Sequence, residues 1–213
     1  MITHEDLHDL MRTRRSVRRF RPDVPARGVI ESVLASAVTA PSASNKQPWR
    51  FLIVENRDVV GRMAVAVREA VDRIAIAVEP QFEGTFRAYG GYFTRFECAP
   101  LVIVALFQPL TLLTTLTGPR LEDEDRRRVR AMERDSGLIG TSLAMQNLLL
   151  AAHAAGLGAS GMTGPLVAAD AIRGILSIPK NWQIAALVPI GYPDEEPPPT
   201  ERKMVDHVTR WVR

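Results

Sequence analysis

Apolar positions along the chain follow two patterns, one typical of helices and one typical of buried strands. The spacing i, i+3, i+4 predicts amphipathic helices over residues 2–11, 29–38, 57–78 and 166–176. Continuous apolar runs predict three buried strands over residues 49–54, 101–107 and 184–190. Residues 79–97 are less regular, and no Pro/Gly/Ser-rich linker divides the 213 residues. We therefore predict a single domain over residues 1–213.

One long segment lacks charge. From Ser136 to Ala169 there is no Asp, Glu, Lys or Arg, and its length alone would allow a membrane span. Gln146, Asn147, His153 and several Gly would make a poor lipid-facing surface, so no membrane association is expected. The pattern instead predicts a helix over about 137–155 that is buried on all sides, either in the core or at a subunit interface.

Composition limits the classes of function. Apolar residues make up 46% and charged residues 24%, which is typical of a folded globular chain. The net charge of +3 comes with 24 Arg and three Lys, but few aromatic residues interleave the Arg, so no nucleic-acid surface is predicted. Cys98 is the single cysteine, and no charged and apolar leader pattern opens the sequence, so a cytoplasmic protein is expected.

Arginine is densest between Arg12 and Arg27, where seven Arg accompany one Asp. If the first helix ends before them, Arg14, Ser16 and Arg18 alternate along an extended segment and project to one side. Two guanidinium groups and a hydroxyl suit a phosphate, because the planar fork of Arg matches phosphate oxygens. The alternative is a solvated, arginine-rich segment without a ligand.

A polar loop from Ser42 to Gln47 lies between a predicted helix and a predicted strand, with prolines at Pro41 and Pro48. Proline disfavours the α conformation in the residue before it, which gives the loop ordered boundaries. Hydroxyl, amide and backbone N–H groups in so few residues suit a polar ligand. An ordinary helix-to-strand connection is the alternative.

Other motifs carry less chemistry. His4-Glu5-Asp6-Leu7-His8 matches a zinc-protease pattern, but the next histidine is His153, so no metal site is predicted. The glycines from Gly156 to Gly164 follow a helix and precede a strand, the reverse of a dinucleotide-binding fingerprint, although they let backbone approach a flat ligand. Residues 108–135 look least like core, and their charged part is expected to be a solvated lid or the start of the next helix.

These motifs form an ordered set: Arg14-Arg15-Ser16-Val17-Arg18, then the Pro41 to Trp49 loop, then Gly156-Leu157-Gly158, then Gly191-Tyr192-Pro193. Over about residues 11–211 this order resembles the FMN-dependent nitroreductase family. The resemblance implies an α+β fold with a central, mainly antiparallel sheet flanked by helices. It also implies an intertwined homodimer with FMN at the interface and a C-terminal arm, about 193–213, that reaches the partner subunit.

The resemblance assigns candidate cofactor-binding residues position by position. The phosphate and ribityl side takes Arg14, Arg15, Ser16 and Arg18, together with Arg202 and Lys203 from the C-terminal arm. The loop lining the flavin, expected from the other subunit, takes Pro41, Ser42, Ala43, Asn45 and Gln47. The backbone beside the flavin ring takes Gly161, Met162, Thr163 and Gly164. Thr163 stands where some members have Glu and Gly140 where some have Gln, which implies a different substrate preference.

The implied activity is transfer of hydride or electrons from NADH or NADPH through FMN to a nitroaromatic, quinone or similar acceptor, by ping-pong kinetics. No side chain in the sequence is a compelling proton donor, so no catalytic residue is assigned. Two alternatives remain. One is a specialised dehalogenase, dehydrogenase or flavin-cleaving enzyme in which residues 108–135 form a substrate lid. The other is a protein that binds FMN without turnover.

Overall fold

A computed structural model describes residues 1–213 and contains one four-stranded antiparallel sheet. The strands are β1 (Trp49–Val54), β2 (Leu101–Phe107), β3 (Gly158–Ala159) and β4 (Gln183–Gly191), in the spatial order β1-β2-β4-β3. The pairing runs from Trp49 opposite Phe107 to Val54 opposite Val102, and Leu101 lies opposite Ile190. All seven residues of β2 are buried, as its continuous apolar run predicts for a central strand.

Seven α-helices surround the sheet. They are α1 (His4–Thr13), α2 (Arg27–Ala37), α3 (Arg57–Ala75), α4 (Glu83–Gly90), α5 (Leu112–Leu116), α6 (Asp123–Ala154) and α7 (Ala169–Ile175). Thr3 and Asp6 form a capping box at the start of α1, and Asn56 caps α3. The predicted α+β architecture with an antiparallel sheet is therefore confirmed.

The two faces of the sheet are covered by different helices. Along β2, Val102, Val104 and Leu106 belong to a cluster that includes buried residues of α3 and α7. Leu101 and Ile103 point the other way, into a cluster with buried residues of α2 and α6. Successive strand residues face opposite sides, so the central strand contributes to both clusters.

Two segments for which the sequence predicts no single structure are helical. Residues 79–97 contain α4 and a 3₁₀ helix over Gly91–Cys98, in which Phe96 is fully buried. The predicted uncharged helix is the C-terminal part of α6, which begins at Asp123, so the expectation that the charged part of residues 108–135 is the start of the next helix is confirmed. No helix of the chain is both long enough and apolar enough to cross a membrane.

The expectation that this helix is buried on all sides within the core is wrong. Gly140, Ala144 and Leu148 face the core, whereas Ile139 and Leu143 are 60% and 42% exposed. One chain therefore covers only one face of α6, which leaves the subunit-interface alternative open.

Candidate functional site

The arginine segment after α1 is extended, as its alternation predicts. Ser16 pairs in parallel with Ala159 of β3, and the Val17 N–H donates to the Ala159 carbonyl at 3.2 Å. Val17 and Phe20 are buried and hold the segment against the sheet. Gly158 is required beneath it, because an added Cβ there would lie 2.7 Å from Val17 side-chain atoms.

Arg14 carries a positive charge that has no partner within the chain. Its guanidinium is partly buried and has neither a hydrogen bond nor a carboxylate partner within the chain. Burial, followed by the positive charges of Arg202 and Arg15, lowers the pKa of Arg14 below its ordinary value. A partly buried cation without a counter-charge, close to two other cations, is a favourable place for an anion.

The C-terminal arm returns to the same segment. Arg202 comes close enough to affect Arg14, and its Nη1 donates only to Thr200 Oγ1 at 2.7 Å and to the Glu201 carbonyl at 3.2 Å. Lys203 is exposed and forms no ion pair. From Pro198 to the end every residue is exposed, including Trp211 at 87%.

Glu195 contacts the arginine segment in a way that the sequence does not predict. Its Oε1 accepts from the backbone N–H of Arg18 at 2.6 Å and from that of Arg19 at 3.0 Å. The Asp194 N–H donates back to the Arg19 carbonyl at 3.0 Å. The acidic, proline-rich sequence predicts only extended backbone, so no signal in it identifies Glu195 as the residue that fixes the arginine segment.

His153, near the end of α6, lies close to the same arginines. Its Nε2 is 3.1 Å from Thr13 Oγ1. Burial, then the charges of Arg14 and Arg15, lower the pKa of His153 below 6.5. The uncharged imidazole is therefore favoured in the folded protein.

The loop between α2 and β1 has unusual backbone geometry. Ser44, Asn45 and Gln47 have φ values of 51°, 50° and 47°, a left-handed conformation that is uncommon outside glycine. The Ser42 hydroxyl accepts the Gln47 N–H at 2.9 Å, so it holds the loop closed. Such strain is found preferentially at ligand-binding sites. Pro41, Ala43, Asn45 and Gln47 are all exposed.

The glycine-containing segment after β3 has two backbone N–H groups without a protein acceptor. Met162 is buried and pairs with Leu187, with N–H to carbonyl distances of 2.8 and 3.0 Å. Gly161 and Thr163, on either side, are exposed, and their backbone N–H groups donate to no protein acceptor. The Ser160 hydroxyl is buried without a hydrogen-bond partner.

Gly164 ends this segment against an aromatic ring. An added Cβ would lie only 2.2 Å from Cδ1 of Phe93. Glycine is therefore required where the segment turns into the 3₁₀ helix Gly164–Ala168.

A cavity of about 350 Å³ opens between the polar loop and the segment that leads into α5. Its lining residues are Ser44, Lys46, Pro48, Gln108, Pro109, Leu110, Thr111, Leu112, Thr115 and Leu116. Lys46 is the only charged side chain among them and forms no ion pair. The predicted lid therefore borders the predicted cofactor loop through residues 108–116.

Two glycines of α6 allow both walls of this cavity to approach the helix. An added Cβ at Gly137 would lie 2.4 Å from the Gln108 carbonyl oxygen, and one at Gly140 would lie 3.2 Å from Pro48 Cγ. Gly140, where some relatives were expected to have Gln, is thus the packing surface for the loop.

The predicted site residues fall into two groups within one chain. The arginine segment and the segment before Gly161 are joined through the pairing of Ser16 with Ala159. No hydrogen bond or ion pair joins the polar loop to the arginine segment. The structure therefore brings the first group together but does not connect it to the loop.

Comparison with known proteins gives consistent matches. The model of the Nitroreductase family matches residues 11–192. A protein named NADH dehydrogenase from Thermus thermophilus is 32% identical over 213 residues, covering 93% of this chain and 92% of the relative. A BluB-like flavoprotein from Clostridium difficile has a similar structure with TM-score 0.84 and 22% identity, covering 97% and 99% of the two chains. Iodotyrosine deiodinase, solved with FMN and 3-iodo-L-tyrosine, gives TM-score 0.72 and 25% identity, with the same coverage.

Proposed function

Because the chain belongs to the nitroreductase family, we propose that it is an FMN-dependent oxidoreductase. The proposed reaction passes reducing equivalents from NADH or NADPH to a nitroaromatic, quinone or similar small acceptor. NADH is suggested by the name of the Thermus relative and FMN by the ligand solved with iodotyrosine deiodinase.

The observation that carries the proposal is the uncompensated charge at Arg14. FMN ends in a phosphate with a charge of about −1.5 to −2 at neutral pH, by analogy with other phosphate monoesters. Arg14, Arg15 and Arg202 supply positive charge there, and none of the three forms an ion pair. The donor set therefore fits a phosphate, and we assign Arg18 and Ser16 to the same side of the cofactor.

The backbone donors before Gly164 fit the other end of such a cofactor. Gly161 and Thr163 present N–H groups without acceptors, and an isoalloxazine ring offers nitrogen and oxygen atoms that can accept them. When bound, FMN supplies the redox chemistry by accepting hydride equivalents from the nicotinamide and passing electrons on to the acceptor. The chain's part is to bind and orient the cofactor.

We further propose that the active form is a homodimer in which the loop from Pro41 to Gln47 completes the partner's site. Ile139 and Leu143 leave an apolar face of α6 uncovered, and the arm exposes Val208 and Trp211 at 62% and 87%. Burial of such surfaces is a usual driving force for association. Lys203 and the loop residues Ala43, Asn45 and Gln47 are assigned to the cofactor only within this dimer.

A second candidate is reductive dehalogenation of an amphipathic aromatic compound. It is favoured by the likeness to iodotyrosine deiodinase together with the cavity under α5, where Lys46 is the only charged lining residue. Lys46 would favour an acceptor that carries an anionic group, such as a carboxylate.

The test is purification followed by anaerobic stopped-flow mixing with NADH and NADPH separately. We expect a yellow protein whose flavin absorbance bleaches with at least one nicotinamide and recovers on addition of a quinone or nitroaromatic. Bleaching by dithionite but by neither nicotinamide, followed by reoxidation with an iodinated phenol, would support the second candidate. A colourless protein that does not take up added FMN would contradict both.

A further inference from the structure

Glu133 of α6 is the only buried ionisable side chain in the chain. It is 3% exposed, and the other buried polar side chains are those of Thr141 and Ser160. Glu133 forms no ion pair, although arginines are abundant on both sides of it in the sequence. Burial of a carboxylate is unfavourable unless hydrogen bonds compensate for lost hydration. The groups that donate hydrogen bonds to the buried Glu133 carboxylate therefore show which part of the chain Glu133 holds in place.

Those groups all belong to the segment that forms the cavity wall. The Glu133 carboxylate accepts from the Leu113 N–H at 2.6 Å, from the Thr114 N–H at 3.3 Å and from the Thr114 hydroxyl. Its backbone carbonyl accepts from the Leu110 N–H at 3.1 Å. The carboxylate thus satisfies N–H groups in the first turn of α5 that have no partner within that helix.

Helix α5 has little else to hold it. It is five residues long and contains no buried residue. Its leucines Leu112, Leu113 and Leu116 are 47%, 40% and 71% exposed. Helices shorter than about 12–15 residues are marginal in water without tertiary support. The Glu133 carboxylate therefore fixes α5, together with the close passage of Gln108 over Gly137.

We propose that Glu133 is a positioning residue that determines acceptor specificity. It holds α5 in place as the outer wall of the cavity, so that Leu112, Thr115 and Leu116 define the space available to the acceptor. The proposal rests on the oxidoreductase function proposed above. Glu133 itself does not line the cavity and is not a catalytic residue.

Two substitutions of similar shape distinguish loss of the contacts between Glu133 and α5 from a general loss of stability. Glu133→Gln keeps the shape of the side chain but removes its negative charge and replaces one acceptor oxygen with an NH2 donor. Thr114→Val keeps the carboxylate and both backbone bonds and removes only the hydroxyl. The matched control is Glu124→Gln, on the same helix, where Glu124 is exposed and pairs only with Arg128.

The first measurement is hydrogen exchange of the FMN-loaded protein. We expect the amides of Leu113 and Thr114 to exchange at least about tenfold faster in Glu133→Gln, because a buried donor loses its charged acceptor. The increase should be smaller in Thr114→Val and absent in Glu124→Gln. Unchanged exchange at both amides in Glu133→Gln would overturn the proposal, as would equally faster exchange throughout β2 and β4.

The second measurement is the ratio of kcat/KM for p-benzoquinone to that for the larger 1,4-naphthoquinone. Glu133→Gln should change this ratio by about tenfold, typical of one lost pocket contact, while the rate of flavin bleaching by nicotinamide stays the same. An unchanged ratio despite faster exchange would overturn the specificity role. A wild-type protein that binds no FMN or shows no turnover would contradict the proposed function and, with it, the specificity role. Hydrogen exchange of that protein as purified, compared with Glu133→Gln, would still decide whether Glu133 anchors α5.

Discussion

Replacement of Arg14 by glutamine should weaken FMN binding without lowering the stability of the apoprotein. If Arg14 had a purely structural role, its replacement would instead lower the stability of the apoprotein. In the apoprotein, Arg14 is partly buried beside two other cations, and its lowered pKa means that the fold disfavours its charge. Glutamine keeps most of the side chain's aliphatic contacts and removes the charge. We therefore expect the free energy of unfolding of the apoprotein to stay the same or rise.

The effect on FMN should have the opposite sign. A hydrogen bond to a charged group contributes about 1.5–3 kcal/mol. Since about 1.4 kcal/mol corresponds to a tenfold change, the Kd for FMN should rise about 10- to 100-fold. The difference should shrink at about 1 M salt, because screening weakens contacts between Arg and phosphate that are not fully buried.

The assay is calorimetric titration of apoprotein with FMN, paired with urea unfolding of the same apoprotein. Arg12→Gln is the matched control, because Arg12 is 63% exposed and already paired with Asp9 at 2.6 Å. It should leave both quantities nearly unchanged. FMN binding as tight in Arg14→Gln as in wild type would refute the anion site. A less stable apoprotein would refute the account of Arg14 as an uncompensated charge.

Three further predictions follow from contacts near the site. Gly164→Ala should lower the free energy of unfolding by about 1–3 kcal/mol in urea titrations, because the added methyl group overlaps the Phe93 ring. Gly174→Ala is the control and should not be destabilising, because a Cβ there meets open space. Equal losses of stability in the two variants would contradict this account. Because folding lowers the pKa of His153, the unfolded state binds more protons than the folded state near and below pH 6.5, so the free energy of unfolding should rise with pH in that range. His153→Gln should flatten this rise in urea titrations at several pH values. An unaltered slope in the variant would contradict the role of His153. Ser42→Ala should speed hydrogen exchange of the Gln47 amide about fivefold or more, because the hydroxyl that accepts its hydrogen bond is removed. Unchanged exchange would show that the Ser42 hydroxyl does not hold the loop closed.

The parts of the fold that the sequence predicts well are those fixed by local periodicity. The three long strands lie within one residue of their predicted bounds, because each coincides with a bounded apolar run. Strand β2 is buried throughout, whereas β1 is an edge strand that exposes Arg50 and Ile53. Helix α3 likewise follows from its apolar spacing. By contrast, Gly84, Gly90 and Gly91 weaken the helical pattern of residues 79–97, and these residues become helical through tertiary contacts such as burial of Phe96.

The candidate site shows a similar division. The alternation of Arg14, Ser16 and Arg18 predicts an extended segment, since a period of two is visible in the sequence. Among the loop's left-handed residues, only Asn45 is of a type that is enriched in that conformation, so Ser44 and Gln47 carry no such signal. The sequence does not identify Glu195 or Glu133 either. Each looks like an ordinary member of a charged stretch, and only the three-dimensional path of the chain shows which backbone donors it meets.

Helix α6 explains why the two sides of the cavity depend on each other. Glu133, Gly137 and Gly140 lie three to four residues apart, which places them on one face of a helix. Glu133 accepts hydrogen bonds from α5, and Gly137 leaves room for the Gln108 backbone. Gly140 packs against Pro48 of the polar loop. The uncovered Ile139 and Leu143 lie on other faces of the same helix. Because these three contacts are made from one face of α6, the position of that helix fixes both α5 and the polar loop.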